Sequence, residues 1–398
     1  MNKKLRVIGL VGGSTLLTLS VVAESSLIVA PHSTGRDADM AGVVVASPDD
    51  GSSTLLINPA GVVSEARKEA MVAIMPITFK MRYVNPMTGY EESGRKDAMA
   101  LSMWRGLGES DNGWSRGVGV YGSLGTAYDL AADPSIGQTS PYLGETGVLN
   151  FGFNIGRQLT PEWRIGFQVA PRYGVQEIKS PSPFGDISFK NQGVGIGGSV
   201  GLVYTPKDFL SFGMVYRTPG IVRFKGDGRV GGVKQDLTVK MITPQNITLG
   251  VAYDYSERLR LLSQVVWTRY EDFERGEKKF ELTKQLNGPL LSNTRNRVRV
   301  GLALEYEVKP GHYFRAGYTR GKAMIEDEAL SPTLFDVDND MLMTGYEIDN
   351  GGWRLGFTAG YTKNKPRTIS VDENPYFPGT YKDQTPISFA IRATWDVD

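Results

Sequence analysis

A strict alternation of apolar residues with small, polar or charged residues constrains the fold of this chain more than any other feature. Residues 297–308 carry one apolar face: Val298, Val300, Leu302, Leu304, Tyr306 and Val308. Between them stand Arg297, Arg299, Gly301, Ala303, Glu305 and Glu307. The same pattern recurs from residues 149, 247, 353 and 387. Because a period of two places successive side chains on opposite faces of a strand, the chain is predicted to consist mainly of two-faced β-strands.

The composition excludes several kinds of chemistry. The chain has no cysteine, so disulfides, thiolate metal sites and a cysteine nucleophile are excluded. Its 2 histidines, His32 and His312, offer little material for histidine-based catalysis or metal binding. The net charge is +1, without a basic stripe, which argues against nucleic acid as a partner. We therefore expect no cofactor and no metal.

The first residues read as an export signal. Lys3, Lys4 and Arg6 precede an apolar run over 7–22, and Ala23 ends a small-residue cleavage site. Residues 1–23 are therefore predicted to be a signal peptide. No later segment has the roughly 20 consecutive apolar residues that a membrane helix needs, so any entry into a membrane must use strands.

Short and long connections alternate along the chain. Short turns are predicted near residues 159–162, 205–208, 255–258, 308–311 and 348–351. Longer polar connections are predicted near 174–187, 223–236, 273–294, 323–340 and 364–384. Outer-membrane barrels have this plan, with short periplasmic turns and long external loops. Aromatic residues such as Trp163 and Trp353 near the turns, and Tyr173, Tyr216, Tyr270 and Tyr361 toward the loops, match the two membrane interfaces.

The predicted fold is all-β: a fourteen-stranded antiparallel transmembrane β-barrel over residues 69–398. Its strands are expected near 70–84, 96–104, 116–128, 147–158, 163–173, 188–204, 209–222, 237–254, 258–272, 296–308, 312–322, 341–348, 353–363 and 386–396. Such a barrel is too wide for its own side chains to fill, since eight strands already hold a packed interior or one small ligand. Residues 24–68, irregular and rich in small residues, are the predicted N-terminal hatch that plugs the lumen.

The tetrapeptide Asn58-Pro59-Ala60-Gly61 stands just before the first predicted strand. Proline fixes its own φ and pushes Asn58 toward an extended conformation, whereas Gly61 is free to adopt positive φ. Further fragments follow in order: Gly117-Val118-Gly119-Val120-Tyr121, Gly213-Met214-Val215-Tyr216-Arg217-Thr218-Pro219, Leu249-Gly250-Val251-Ala252-Tyr253, Arg258-Leu259-Arg260-Leu261 and Phe314-Arg315-Ala316-Gly317-Tyr318. Together they resemble the FadL-type outer-membrane transporters of hydrophobic compounds.

This resemblance implies passive uptake of a long-chain fatty acid or similar hydrophobic molecule through the bacterial outer membrane. The ligand would be captured at the outer surface, pass near the mature N-terminus (Glu24, Ser25 and Ser26) and leave sideways into the membrane at a kinked strand. The kink is expected in the third strand at Gly122 and Gly125, because glycine weakens strand pairing. The implied partners are the ligand, outer-membrane lipids and the barrel-assembly machinery, and the protein is expected to be a monomer.

Three arginines and four apolar loop residues are candidates for ligand contact. Strand parity places Arg297, Arg299 and Arg315 toward the lumen, where they could pair with a carboxylate head group or simply brace the barrel. Capture at the outer surface could use Phe184, Ile187, Ile221 and Phe224, although ordinary loop packing explains such residues equally well.

Other motifs are discounted. The elbow-like sequence around Ser199 and two glycine-rich stretches, 117–122 and 193–198, lie within strands and open no helix. Asp336, Asp338, Asp340 and Glu347 have calcium-loop spacing, but Met341 stands where the loop requires glycine. We therefore expect no enzyme. The alternatives are a general pore for polar solutes and a barrel-embedded lipid hydrolase that uses Ser199 or another serine with His312.

Overall fold

The computed structural model describes residues 34–64, 68–86, 88–89, 91–130, 142–182, 184–331, 336–375, 377–383 and 387–397. The predicted signal peptide and the predicted mature N-terminus, Glu24, Ser25 and Ser26, lie outside these residues. The described strands are β1 (Glu69–Val84), β2 (Glu91–Glu109), β3 (Trp114–Leu130), β4 (Tyr142–Gln158), β5 (Trp163–Ser180), β6 (Ile187–Lys207), β7 (Leu210–Arg217), β8 (Gly220–Val230), β9 (Val233–Thr243), β10 (Asn246–Ser256), β11 (Leu259–Thr268), β12 (Glu277–Phe280), β13 (Gly288–Pro289), β14 (Arg297–Lys309), β15 (His312–Gly321), β16 (Asn339–Asp349), β17 (Trp353–Asn364), β18 (Arg367–Ile369), β19 (Gly379–Asp383) and β20 (Ile387–Asp396).

The strands form one closed antiparallel barrel. Each spanning strand pairs with its neighbours in the chain, and β1 pairs with β20 from Glu69↔Asp396 to Ile74↔Ile391, which closes the cylinder. β7 and β8 both pair with β6 and together make one barrel strand; β9 and β10 make the next. The short strands β12, β13, β18 and β19 belong to loops. The barrel therefore has 14 strands, which confirms the predicted fold class.

Two prolines divide the broken strands. Pro219 separates β7 from β8, and Pro244 separates β9 from β10. Proline has no backbone N–H to donate, so a ladder is interrupted where it stands. At the break, the backbone N–H of Thr218 still donates to the carbonyl of Gly198 at 2.9 Å, so the wall stays continuous.

The predicted long connection over residues 223–236 is wrong. These residues continue β8 and β9 as a hairpin that turns at Gly231 and Gly232, whose φ values of 55° and 83° favour glycine. Its apolar side chains, such as Phe224 and Leu237, point inward and its charged ones outward, the reverse of the spanning strands. The lipid-facing pattern used in the sequence analysis does not apply to strands that rise beyond the membrane.

Outward faces of the spanning strands are apolar: Val194 is 70% exposed, Leu302 64% and Ile387 62%. Trp163 stacks on Tyr204 with ring centroids 4.3 Å apart near the short turns. Tyr270, predicted for the outer belt, is instead buried in a loop cluster with Phe273 and Tyr381, because the chain leaves β11 in a 3-10 turn at that point. Within the described residues, no helix is long and apolar enough to cross a membrane.

Candidate ligand-transport site

The N-terminal segment 34–64 lies inside the barrel, and we call it the hatch. It contains α1 (Arg36–Asp39), α2 (Gly51–Leu56) and a 3-10 helix (Pro59–Val63). Every hatch residue except Asp49, Ile57 and Ser64 is buried. The Asp50 carboxylate caps α2 by accepting from the backbone N–H of Ser53, and apolar residues of α2 pack against the barrel wall.

The Asn58-Pro59-Ala60-Gly61 motif anchors the hatch to the wall. Asn58 is extended (φ −136°, ψ 110°), and its side-chain oxygen accepts from the N–H of Ala60 at 3.0 Å, so it caps the 3-10 helix that Pro59 begins. The amide of Asn58 donates to the carbonyl of Val45 at 2.7 Å and to that of Leu202 on β6 at 3.2 Å. Gly61 is not among the residues with positive φ. A Cβ there would lie 2.1 Å from the carbonyl oxygen of Pro48, so close approach explains this glycine.

Glycines on the inner wall let the hatch approach the barrel backbone. A Cβ built on Gly166 would lie 2.3 Å from the Pro59 carbonyl oxygen, and one on Gly201 would lie 1.9 Å from the Asn58 side-chain oxygen. The same holds at other wall glycines, which face hatch residues from Asp39 to Val62: Gly119, Gly152, Gly156, Gly213, Gly250, Gly301, Gly317 and Gly345. The high glycine content of the chain thus serves contact between wall and hatch.

A buried network of charges joins the hatch to the wall on the other side. Asp39 accepts from Arg392 at 3.0 and 2.6 Å and from Arg315 at 3.4 Å. Glu347 lies 2.9 Å from both arginines. Arg36 of the hatch donates to Glu305 on β14 at 2.9 and 3.0 Å. Because each buried charge has an opposite partner, the network fixes α1 against β14–β20 without leaving an isolated ion.

The third barrel strand leaves its neighbour halfway along its length. The ladder between β2 and β3 runs from Glu109↔Ser115 to Ser102↔Tyr121. Beyond that point the described residues of β2 pair with β1, and those of β3 pair with β4. The β3–β4 register shifts between Gly122 and Leu124, and Gly125 follows directly. The residues of the predicted kink therefore lie at the bulge where β3 separates from β2.

Four buried polar residues lie in one row leading to this separation, and we call them the lumen row: Ser102, Tyr121, Asn150 and Arg172. They are consecutive Cα partners across β2, β3, β4 and β5. Asn150 donates to the backbone carbonyl of Tyr121 at 3.1 Å. The hydroxyl of Thr34, the first described hatch residue, contacts that of Ser102. The row therefore connects the hatch to the open edge of β2.

Arg172 is an unusual member of the row. It is 7% exposed, and Nη1 donates to the hydroxyl of Thr243 at 2.9 Å. Its electrostatic neighbours are Tyr121 and a second cation, Arg217, and within the described residues no carboxylate pairs with it. Arg172 was not among the candidates predicted from sequence, although the outward parity assigned to Tyr173 already places Arg172 inward.

Of the three arginines predicted from parity, Arg315 and Arg297 have carboxylate neighbours within the protein. Arg315 is 3% exposed and is held by Asp39, Glu305 and Glu347. Arg297 lies 3.7 Å from Asp336 and places its guanidinium 5.6 Å from the ring centroid of Tyr270, beneath the external loops. Arg299 is half-buried beside Gly321. The contacts of Arg315 and Arg297 favour bracing over ligand binding.

The predicted capture residues are divided between two faces. Phe224 is buried in a cluster inside the outer half of the barrel, the outer apolar cluster, with Val148, Phe189, Val222, Val230, Leu237, Val239 and Phe280; Ile187 packs against it. Ile221 is half-buried and has the opposite parity, and Phe184 is 46% exposed in the turn before β6. Lys278 is the Cα partner of Val239 of this cluster, and burial lowers the pKa of its ammonium.

The discounted motifs form no catalytic or metal site in the described residues. Ser199 is buried on β6, whereas His312 stands on β15, which does not neighbour β6, and its Nδ1 lies 3.0 Å from the Tyr346 hydroxyl. Asp336 and Asp338 accept from backbone N–H groups of residues 323–325. No group of three or more metal-ligating residues occurs in the described part of the chain.

A closed barrel with an apolar exterior and a plugged lumen defines an outer-membrane transport channel. The chain belongs to the family of outer membrane protein transport proteins (OMPP1/FadL/TodX), which it matches over residues 15–374. This confirms the family predicted from sequence, the outer-membrane location, and transport of hydrophobic compounds instead of enzymatic activity.

Solved structures share the fold at low sequence identity. A FadL homologue of Pseudomonas aeruginosa has a TM-score of 0.74 and 14% identity, covering 93% of this chain and 100% of that one. The toluene transporter TodX of P. putida has a TM-score of 0.68 and 16% identity, covering 87% and 94%. The toluene transporter TbuX of Ralstonia pickettii has a TM-score of 0.67 and 14% identity, covering 90% and 98%.

A curated relative matches a shorter stretch. A putative outer membrane protein of Neisseria meningitidis serogroup B is 22% identical over 179 residues, which is 39% of this chain. The matched segment spans 38% of the length of that relative.

Proposed function

We propose that this channel takes up long-chain fatty acids, or similar amphiphiles with an anionic head, and releases them sideways into the outer membrane between β2 and β3. The observation that carries this proposal is Arg172, a buried cation without a carboxylate partner in the described residues, in the row that ends at the separation of the two strands.

The energetics favour a ligand with both an apolar chain and a charge. Each methylene removed from water contributes roughly 0.8 kcal/mol, so a long chain gains much by entering an apolar route. Burying a carboxylate is costly unless a cation pairs with it. Arg172 is a buried cation to which no carboxylate of the described residues is paired, so an anionic head group could supply its partner. A guanidinium also matches a carboxylate with two parallel hydrogen bonds. A purely hydrocarbon ligand would leave Arg172 uncompensated.

Capture at the outer surface would use the outer apolar cluster. Its side chains are buried inside the outer half of the barrel, where an alkyl chain can replace contacts between them. Lys278, beside Val239, could hold the head group while the chain enters. The lowered pKa of Lys278 reflects its partial burial, and an anion placed there would favour its charged form.

The buried hatch argues against a general pore for polar solutes. Its residues fill the periplasmic half of the lumen and contact both sides of the wall. The barrel, the hatch and the β2–β3 separation are all contained in one chain, so we propose that a monomer is the transporting unit.

Arg172→Gln tests the ligand class. Because hydrogen bonds to charged groups contribute about 1.5–3 kcal/mol, uptake of a long-chain fatty acid into proteoliposomes should fall about tenfold or more. Uptake of an alkane with the same number of carbons should stay within about twofold of the wild type, since it makes no ion pair. Arg258→Gln, at an exposed turn, is the matched control and should change neither.

Equal transport of the fatty acid by wild type and Arg172→Gln would refute the assigned role. An equal loss of both ligands would show that Arg172 supports the shape of the lumen instead of selecting an anion.

A further inference from the structure

A cluster of cations lies on the outer face of the barrel just above its apolar belt. One row of consecutive Cα partners crosses four neighbouring strands: Tyr173 on β5, Val194 on β6, Arg223 on β8 and Lys240 on β9. Tyr173 and Val194 are exposed lipid-facing residues, so this row marks the outer membrane interface, where tyrosine prefers to lie. In the next row outward, Lys225 and Lys279 flank Thr238.

We call four of these residues the basic rim: Arg223, Lys225, Lys240 and Lys279. Few acidic side chains lie close enough to balance their positive charge. Glu277, the Cα partner of Lys240, lies 2.9 Å from the ammonium of Lys279 and interacts electrostatically with Lys240 as well, so one carboxylate faces several cations. In the described residues, no ion pair joins a carboxylate to Arg223, Lys225 or Lys240. Arg223 and Lys240 stand directly opposite each other, and like charges in that position destabilise a strand pair.

A second pair of rows, on β15, β16 and β17, shows a charge-balanced version of this arrangement. There Tyr318, Leu342 and Tyr361 form the interfacial row, and Arg320, Asp340 and Lys363 form the row above it. Asp340 stands between the two cations, lies 3.7 Å from Nε of Arg320 and accepts from the Tyr318 hydroxyl at 2.6 Å. The basic rim holds no such acid at the equivalent position between Arg223 and Lys240.

We propose that the basic rim binds the phosphate groups of a phosphorylated lipid in the outer leaflet of the membrane. The cations stand at head-group height, and exposed Val194 and Ile196 below them offer apolar surface for acyl chains. Guanidinium and ammonium groups on long, flexible stems are suited to phosphate at a membrane surface. The bound phosphate supplies the negative charge that the strand pair lacks.

The test compares two double variants of equal composition: Arg223→Gln/Lys240→Gln in the basic rim, and Arg320→Gln/Lys363→Gln in the balanced row. Full-length protein in detergent micelles is titrated with bisphosphorylated lipid A, with enzymatically dephosphorylated lipid A, and with inorganic phosphate as a competitor. Heat-modifiable gel mobility verifies that both variants remain folded barrels. Since basic residues near a membrane surface contribute about 1 kcal/mol each, the rim variant should bind phosphorylated lipid A about tenfold or more weakly.

The balanced-row variant should bind like the wild type, and dephosphorylated lipid should bind all three proteins equally weakly. Binding should weaken with added salt. Unchanged binding by the rim variant would overturn the proposal, as would an equal loss in both variants. Full displacement of lipid A by inorganic phosphate would also overturn it, since the site would then recognise free phosphate. Fatty-acid uptake does not enter these measurements, so the result is independent of the proposed transport function.

Discussion

Single residues fix the hatch through partners that are remote in sequence. Asp39 meets Arg392, 353 positions away, and Arg315, 276 positions away. A third partner is the hydroxyl of Thr358. Asp39 is fully buried, so the carboxylate is the counter-charge of two guanidinium groups that have no access to water. The residue therefore controls both the position of α1 and the cost of displacing it.

Asp39→Asn should loosen the hatch and lower the stability of the folded barrel by about 3 kcal/mol, because the buried guanidinium groups of Arg315 and Arg392 each lose one of their carboxylate partners. The measurements are the urea midpoint of unfolding and the ion current through planar bilayers, which should rise as the hatch shifts. Asp49→Asn is the control: the Asp49 side chain is 39% exposed and its pairs with Arg164 and Arg260 are partly open to solvent, so their loss should cost little. Equal effects of the two substitutions would contradict a special role for Asp39.

For single residues, the sequence was enough to predict backbone conformation and the face to which a side chain points, but not the residues that it contacts. Proline chemistry was enough to predict the extended Asn58, and parity was enough to turn Arg315 inward. Neither indicates that Asn58 donates to Leu202 or that Arg315 meets Asp39, because those contacts depend on the fold of the hatch. Arg172 was within reach of the same parity argument and was overlooked.

Among the elements, β2 and β3 each pair with only one neighbour over their outer halves, β2 with β1 and β3 with β4. The ladder between β2 and β3 ends at Ser102↔Tyr121, although both strands continue. A bulge adds one residue to a strand and bends it, which accounts for the departure at Gly122. An opening in the wall at this level would face the lumen row on one side and lipid on the other.

A cross-link across this opening tests lateral release. Leu101 and Gly122 occupy the positions that would continue the ladder beyond Ser102↔Tyr121. The chain has no cysteine, so Leu101→Cys/Gly122→Cys provides the only thiols for a short bifunctional reagent. Cross-linking should slow transfer of fatty acid into the surrounding lipid about tenfold or more, because a local obstruction acts on every exit event.

The control pair is Arg105→Cys/Val118→Cys, which are partners inside the ladder. Cross-linking there should leave transfer unchanged, since those strands are already joined. Unimpeded transfer through the bridged Leu101–Gly122 pair would mean that the ligand leaves by another route.

The strands themselves were predictable because apolar and polar residues alternate along every membrane-spanning strand, where one face contacts lipid and the other faces the lumen. All fourteen predicted strands have counterparts in the barrel. The β8–β9 hairpin was not predicted where it extends beyond the membrane, because its apolar side chains point inward there and its charged ones outward. Phe224 and Leu237 both belong to the outer apolar cluster inside the barrel. A pattern defined by lipid contact cannot identify strands whose outer face meets head groups and water.

For the molecule as a whole, the fit between hatch and barrel determines whether the channel is closed. Gly166→Val places a side chain where a Cβ alone would lie 2.3 Å from the carbonyl oxygen of Pro59, which is backbone and cannot rotate away. The hatch should be displaced, and planar-bilayer recordings should show an ion current that the wild type lacks. Overpacking of this kind costs about 1–3 kcal/mol, which the barrel should survive.

Gly352→Val is the matched control, because a Cβ at that position meets nothing within 4 Å. It should conduct as little as the wild type. A wild-type protein that already passes a large steady current would favour the general pore over a closed transporter.

The charge pair between Asp39 and Arg392 also constrains the order of assembly. Arg392 belongs to β20, the strand that closes the cylinder against β1, so Asp39 gains this second guanidinium partner, beside Arg315 of β15, only when the last strand of the wall is in place. Because the hatch contacts the inner wall on several sides, we expect it to lie inside the barrel before β20 pairs with β1. We therefore expect the pairing of β20 with β1 to bring Arg392 to Asp39 and to complete the contact between hatch and wall.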